Sequence, residues 1–377
     1  MNSFFLPGPA SPTYENVRDK DWLGDTRSLV EQLWARYEPL CRDPGFRKNA
    51  MDAKKFNALT WQMYLACVLV DHGHQLEPSG ADLPDIKVRQ PDGSILWIEA
   101  TTAESGEGAN AAKRIYGTIV KSPDNPGFSS ATFSLDERKM ILRYQVAIRA
   151  KDNHRLKFLD RKAIAPSDPY VVAINAADVD DSDLDDGLPL IVRAVYPIGE
   201  LAYSYSVRTD YSSPDEHFDH GGHLTRPHTP AVKTNKNVDA PTTGFADGTL
   251  SGVSAIIFSP HGILNAPTPI GRECVTVYNA TAANPIASDT FRFGESCHGD
   301  GERLHRVDWW TREKNHLRQP ARSEALSRVP RRSDRGRRGL RPPDPQRPPS
   351  RAIWALSPKG GGSDQVGPTS VASLRSP

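Results

Sequence analysis

The sequence is poor in several features that would narrow its class quickly. It has only four cysteines in 377 residues (Cys41, Cys67, Cys274 and Cys297), scattered and with no C-x-x-C pair. That spacing gives no disulfide framework, and reduced thiols are the simplest expectation. No apolar run approaches the length of a membrane-spanning helix. The first residues, MNSFFLPGPASP, have neither the basic start nor the apolar stretch of a signal peptide. Together these absences predict a cytoplasmic protein with no membrane partner. Gly106-Glu107-Gly108 lacks the spacing of a phosphate loop or a dinucleotide fingerprint. Serines such as Ser204 and Ser206 stand outside any nucleophile-elbow context, so a triad hydrolase has no support.

Overall charge is also nearly absent, at +1, but it is unevenly spread. From Gly299 onward there are 17 Lys and Arg against 8 Asp and Glu; the preceding residues carry 30 against 38. The body is therefore acidic, at −8, and the end of the chain basic, at +9. An acidic body does not advertise nucleic-acid binding, which normally leaves a basic footprint. The basic segment is rich in Arg, Pro, Gly and Ser and cannot bury a core, so residues 299–377 are expected to be a disordered tail. It is either a basic arm for phosphates or a segment with no selected role.

What the sequence does hold is one well-marked stretch, Leu83 to Gly106. Ile86 and Val88 alternate with Asp85, Lys87 and Arg89, and Pro91-Asp92-Gly93 supplies turn chemistry. On the returning strand, Leu96, Ile98 and Ala100 share one face, with Trp97, Glu99 and Thr101 on the other. The carboxylates of Asp85 and Glu99 can thus converge from neighbouring strands. Two carboxylates held close repel each other, and a divalent cation makes that arrangement favourable.

Around this hairpin the pattern is mixed. Asp25 is positioned as an N-cap before Val30, Leu33, Trp34, Tyr37 and Leu40 at helical spacing. A second, nearly all-apolar helix is expected from about Asp52 to Asp71, ending at Gly73. Glu104 to Gly117 reads as a small-residue connection. Ser134-Leu-Asp-Glu137 reads as a capping box opening a helix to about Leu159. Tyr170 to Ile174 is a short apolar run typical of a central strand. An acidic loop (Asp178 to Asp186) and further apolar runs follow, at Leu188 to Val195, Ser254 to Phe258 and Val275 to Tyr278, all three read as strands. Residues 1–20 are expected to be flexible.

Pro84-Asp85, a spacer, then Glu99-Ala100-Thr101 resembles the PD-(D/E)xK signature of the restriction-endonuclease-like nuclease superfamily. The phrases TWQMYLA, PDIKV, LWIEAT, LRYQVAIRAK and PYVVAIN together are similar to a bacterial branch of it, over roughly Phe56 to Asn175. The resemblance implies an α/β fold with a mixed central β-sheet flanked by helices. It places one restriction-endonuclease-like domain at residues 21–298, with its core at about 52–175. It also implies Mg²⁺ or Mn²⁺ held by Asp85 and Glu99, and hydrolysis of phosphodiester bonds in nucleic acid, DNA first among the candidates. Thr101 stands where the signature has a lysine. The superfamily sometimes moves that lysine to a neighbouring helix, where Arg143, Ala147 and Lys151 share one face at i, i+4 and i+8. Lys151 is then the replacement, with Arg143 and Lys87 as phosphate-binding candidates. Gln62 occupies the place where related nucleases often carry a glutamate on their first helix.

Two other classes stay open. With Thr101 and Gln62 both departing from the signature, the chain can be a catalytically inactive nuclease-fold protein acting as a binding or regulatory module. The run from Asp215 to His223, with His217, His220, His223 and the nearby His228, has transition-metal ligand types, but its spacing matches no helical or zinc-finger pattern. A solvated, flexible His-rich insert is the plainer reading of it.

Overall fold

The computed structural model describes residues 2–80, 82–108, 111–113, 115–121, 129–134, 136–179, 182, 187–204, 223–299 and 304–310. All lie within the first of two compact units, Met1–Ala321. Most of the 299–377 segment lies outside the described residues, as do most of the acidic 178–186 loop and the greater part of the 215–223 His-rich run.

The chain opens with helices α1 (Pro12–Asp19), α2 (Gly24–Tyr37), the short α3 (Phe46–Asn49) and α4 (Ala53–Asp71). Strands β1 (Gln75–Glu77), β2 (Ile86–Arg89), β3 (Ile95–Thr102), β4 (Ile115–Lys121) and β5 (Ser129–Ser134) follow. Next come α5 (Glu137–Asp160), β6 (Tyr170–Asn175) and α6 (Leu190–Arg193). The remaining strands are β7 (Ala202–Ser204), β8 (His223–Thr225), β9 (Ala231–Lys233), β10 (Asp239–Pro241), β11 (Ala255–Ser259), β12 (Val275–Tyr278), β13 (Glu295–Gly299) and β14 (Leu304–Asp308).

Eight strands form one mixed sheet in the order β1-β2-β3-β6-β11-β12-β13-β14. β6 runs parallel to both β3 and β11, while β1, β2 and β3 form an antiparallel meander along one side. β6 is buried at all six positions, as expected for a strand covered on both faces. Leu96, Ile98, Ala100, Val171 and Ala173 face α4 and the N-terminal helices. Trp97, Tyr170, Val172 and Ile174 face α5 and α6. The mixed sheet flanked by helices is the α/β arrangement expected from the sequence.

Several local expectations differ from the structure. The flexibility expected of residues 1–20 is not met: residues 12–19 are helical, and Phe4 and Tyr14 are fully buried in the α4-side core. Phe4 packs its ring against Phe5, Tyr14 and Trp34, so aromatic burial overrides the Pro- and Ser-rich composition. Helix α2 starts at Gly24, which puts Asp25 in its first turn and not at the cap. Ser134 ends β5, and the helix that follows is capped by Asp136, whose side chain accepts from the Lys139 N–H. The run at 188–195 contains the buried helical turn α6 and no strand. Short apolar runs do not distinguish a buried strand from a buried helix, and Pro189 at the N-cap favours the turn. The expected connection at 104–117 gives way at Ile115 to β4, paired with β5.

Candidate carboxylate site

The site begins with the β2–β3 hairpin. Ile86 pairs with Ile98, Lys87 with Trp97, Val88 with Leu96 and Arg89 with Ile95. The turn is closed by the Gln90 N–H to Ser94 and by the Asp92 carboxylate, which accepts from the Ser94 N–H; Gly93 supplies the positive φ of +86°. Extended by one residue, this register sets Asp85 opposite Glu99. Directly opposed residues of an antiparallel pair project to the same face. Ile86, Val88 and Ile98 occupy the α4 face, so Asp85 and Glu99 lie on the α5 face, with Thr101 beyond.

Helix α5 completes the arrangement. Lys151 Nζ donates to Glu99 Oε1 at 3.0 Å, and His154 Nδ1 lies 2.9 Å from the same oxygen. Only 3 % of Glu99 is exposed. Its second oxygen, Oε2, is hidden from solvent and has no hydrogen-bond partner among the described residues. Buried polar atoms are normally satisfied, so this oxygen marks a position where a further donor or a cation would be favoured. Asp85 is half-buried, and its Oδ2 accepts from the Ala100 N–H at 2.8 Å. Burial first, and the nearby Glu99 charge second, push the Asp85 carboxyl up to about 7; the Lys151 ammonium and the Ala100 N–H pull the other way. The site is open to solvent past His154, whose side chain is 41 % exposed, and Lys151 is 21 % exposed.

Lys151 thus lies beside both carboxylates. Arg143 does not join them: it sits two helical turns earlier, about 12 Å along the α5 axis, with its guanidinium packed on Gly106. Lys87 shares the Asp85 face but pairs with Glu77 at 2.7 Å and lies over the Trp97 ring. Gln62 belongs to α4, across the sheet. Its amide donates to the Tyr37 hydroxyl at 2.6 Å and to the main-chain carbonyl of Asp85 at 3.4 Å, so it meets the Asp85 backbone and not the carboxylate. Thr101 Oγ1 makes one long contact, 3.5 Å to the Thr102 carbonyl. His154 is not among the residues that the sequence singles out, although its place three residues after Lys151 puts it on the same helix face.

The donors fit a hard cation. Two carboxylate oxygen sets suit Mg²⁺ or Mn²⁺ better than a soft transition metal, and Mg²⁺ commonly takes one or two carboxylates and completes its shell with water. Among the described residues no group of three or more His, Cys, Asp or Glu side chains is arranged to hold a metal, so two protein ligands is the count this site offers. Of the other candidate cluster, His217 and His220 lie outside the described residues, and only the backbone of His223 is described. His228 is exposed, in an isolated bridge with Ile198. No helix among the described residues is long and apolar enough to cross a membrane.

Comparison of the chain with family models, with curated proteins and with solved structures returns no match.

Proposed function

We propose that the chain is a metal-dependent nuclease of the restriction-endonuclease-like kind, hydrolysing phosphodiester bonds of nucleic acid. The observation that carries this reading is Glu99: it is buried opposite Asp85, one oxygen is held by Lys151 and His154, and the other has no partner among the described residues. Asp85 and Glu99 would hold Mg²⁺ or Mn²⁺. When bound, the cation supplies Lewis-acid chemistry, lowering the pKa of a coordinated water and taking up charge on the phosphate.

The chain's own groups supply the remainder. The Ala100 N–H fixes the Asp85 carboxylate toward Glu99. Lys151 reaches the site from α5, in the role that the PD-(D/E)xK signature gives to a lysine at the Thr101 position. Its ammonium is placed to contact a phosphate oxygen arriving over the carboxylates. Thr101, on the same face, can position a water but cannot supply positive charge.

A second reading keeps the fold and discards the chemistry, leaving a binding or regulatory module. The existing Lys151–Glu99 ion pair favours it, because that pair already neutralises Glu99 without a cation.

Cleavage of plasmid, single-stranded DNA and RNA with Mg²⁺ or Mn²⁺ separates the two, with Asp85→Ala and Glu99→Ala as controls. The nuclease reading expects cleavage that falls to background in both variants and with chelator. No cleavage by the wild type, or cleavage that survives both substitutions, transfers the case to the binding module.

A further inference from the structure

The helix that covers the carboxylates is strongly basic within an acidic body. Residues 137–162 hold nine Lys and Arg against three Asp and Glu; the remainder of residues 1–298 holds 21 against 35. Five of the nine have other engagements. Lys151 is bound to Glu99, Arg155 to Asp152, and Arg138 and Lys139 to Asp136, while Arg143 packs on Gly106. Arg149, Lys157, Arg161 and Lys162 are exposed, and no ion pair holds any of them among the described residues.

Their placement is directional. At 3.6 residues per turn, His154, Lys157 and Arg161 fall within about 60° of one another around the helix and span about 10 Å along it. The small Ala150 lies in the same sector. This flank starts at the Glu99 contact, through His154, and runs out to the helix end, where Lys162 adopts the left-handed conformation at φ +57° and turns the chain away. Cations in a last helical turn also offset the helix dipole. That role does not account for Arg149, three turns from the end, nor for so few acids on this helix in an otherwise acidic body.

We propose that the exposed flank of α5 that carries Lys157 and Arg161, with Lys162 at its end, is a track for the sugar–phosphate backbone of a nucleic-acid strand leading toward the Asp85–Glu99 pair. The destination rests on the phosphodiesterase reading; the track itself does not. Successive turns of the helix repeat every 5.4 Å, comparable with the separation of neighbouring phosphates along one strand.

The test uses the full chain and a fluorescein-labelled single-stranded oligonucleotide in EDTA, with anisotropy followed from about 50 to 300 mM KCl. Lys157→Gln/Arg161→Gln is expected to weaken binding at least tenfold near 100 mM salt and to flatten the log–log salt slope by about 1.4, two phosphates at about 0.7 each. The charge-preserving Lys157→Arg/Arg161→Lys is expected to bind within twofold of wild type. A wild type that binds the oligonucleotide in this way but cleaves nothing when Mg²⁺ or Mn²⁺ is supplied sinks the catalytic reading alone. An unchanged affinity and slope in the Gln variant overturns the track. Equal weakening in both double variants also overturns it, because charge is then not the cause. So does a Gln variant that loses binding to phosphatidylserine vesicles while its oligonucleotide binding stays at the wild-type level.

Discussion

Replacing Asp85 by asparagine is expected to stabilise the protein at neutral and alkaline pH, although it removes a charge from the candidate site. Burial and the Glu99 charge raise the Asp85 carboxyl from 3.8 to about 7. The folded protein therefore holds this proton more tightly than the unfolded chain does. Between about pH 4 and 7 the unfolded state releases it first, and stability falls as pH rises; above about 7 the whole cost is present, and below about 4 none of it is. A shift of that size corresponds to roughly 4 kcal/mol at most. Asp85 is only half-buried, so solvent screening brings the realistic figure to about 2 kcal/mol. The carboxamide oxygen of the introduced asparagine can still accept from the Ala100 N–H, so the substitution isolates the charge. Urea unfolding at pH 5 and pH 8 in chelator is the assay. The variant should gain about 2 kcal/mol over wild type at pH 8 and much less at pH 5. Added Mg²⁺ should then stabilise wild type, by RT ln(1 + [Mg²⁺]/Kd), and leave Asp85→Asn unmoved. A variant that is less stable than wild type by the same amount at both pH values would refute the reasoning, since ionised Asp85 would then be held favourably by Lys151 and the Ala100 N–H.

Two further substitutions address the scaffold. Phe4→Ala removes a fully buried ring packed against Tyr14 and Trp34, and about 3 kcal/mol should be lost in urea unfolding; a loss under about 0.5 kcal/mol would mean that the first residues do not belong to the core. Gly106→Ala places a methyl group at φ +80° against the Arg143 guanidinium, and should cost about 1–3 kcal/mol; an unchanged midpoint would show that this connection relaxes freely.

The hairpin and its two carboxylates were legible in the sequence because their determinants are local. Strand alternation has period two, and a turn marked by Pro91, Asp92 and Gly93 sets which residue of β2 opposes which of β3; Asp85 and Glu99 follow from counting. The apolar runs of α4 and β6 were equally plain, since elements covered on all sides need little polar patterning. The tertiary structure alone decided what surrounds the pair. Helix α5 crosses over β3 on the Glu99 face, bringing Lys151 and the unanticipated His154 to one oxygen while leaving Arg143 two turns away. Helix α4 covers the opposite face, so Gln62 meets the backbone of Asp85 and not its carboxylate. No spacing along the chain encodes which side of a sheet a helix packs on. That choice belongs to the two apolar surfaces, which must each be buried against a partner, and it separates a residue that reaches the site from one that sits behind it.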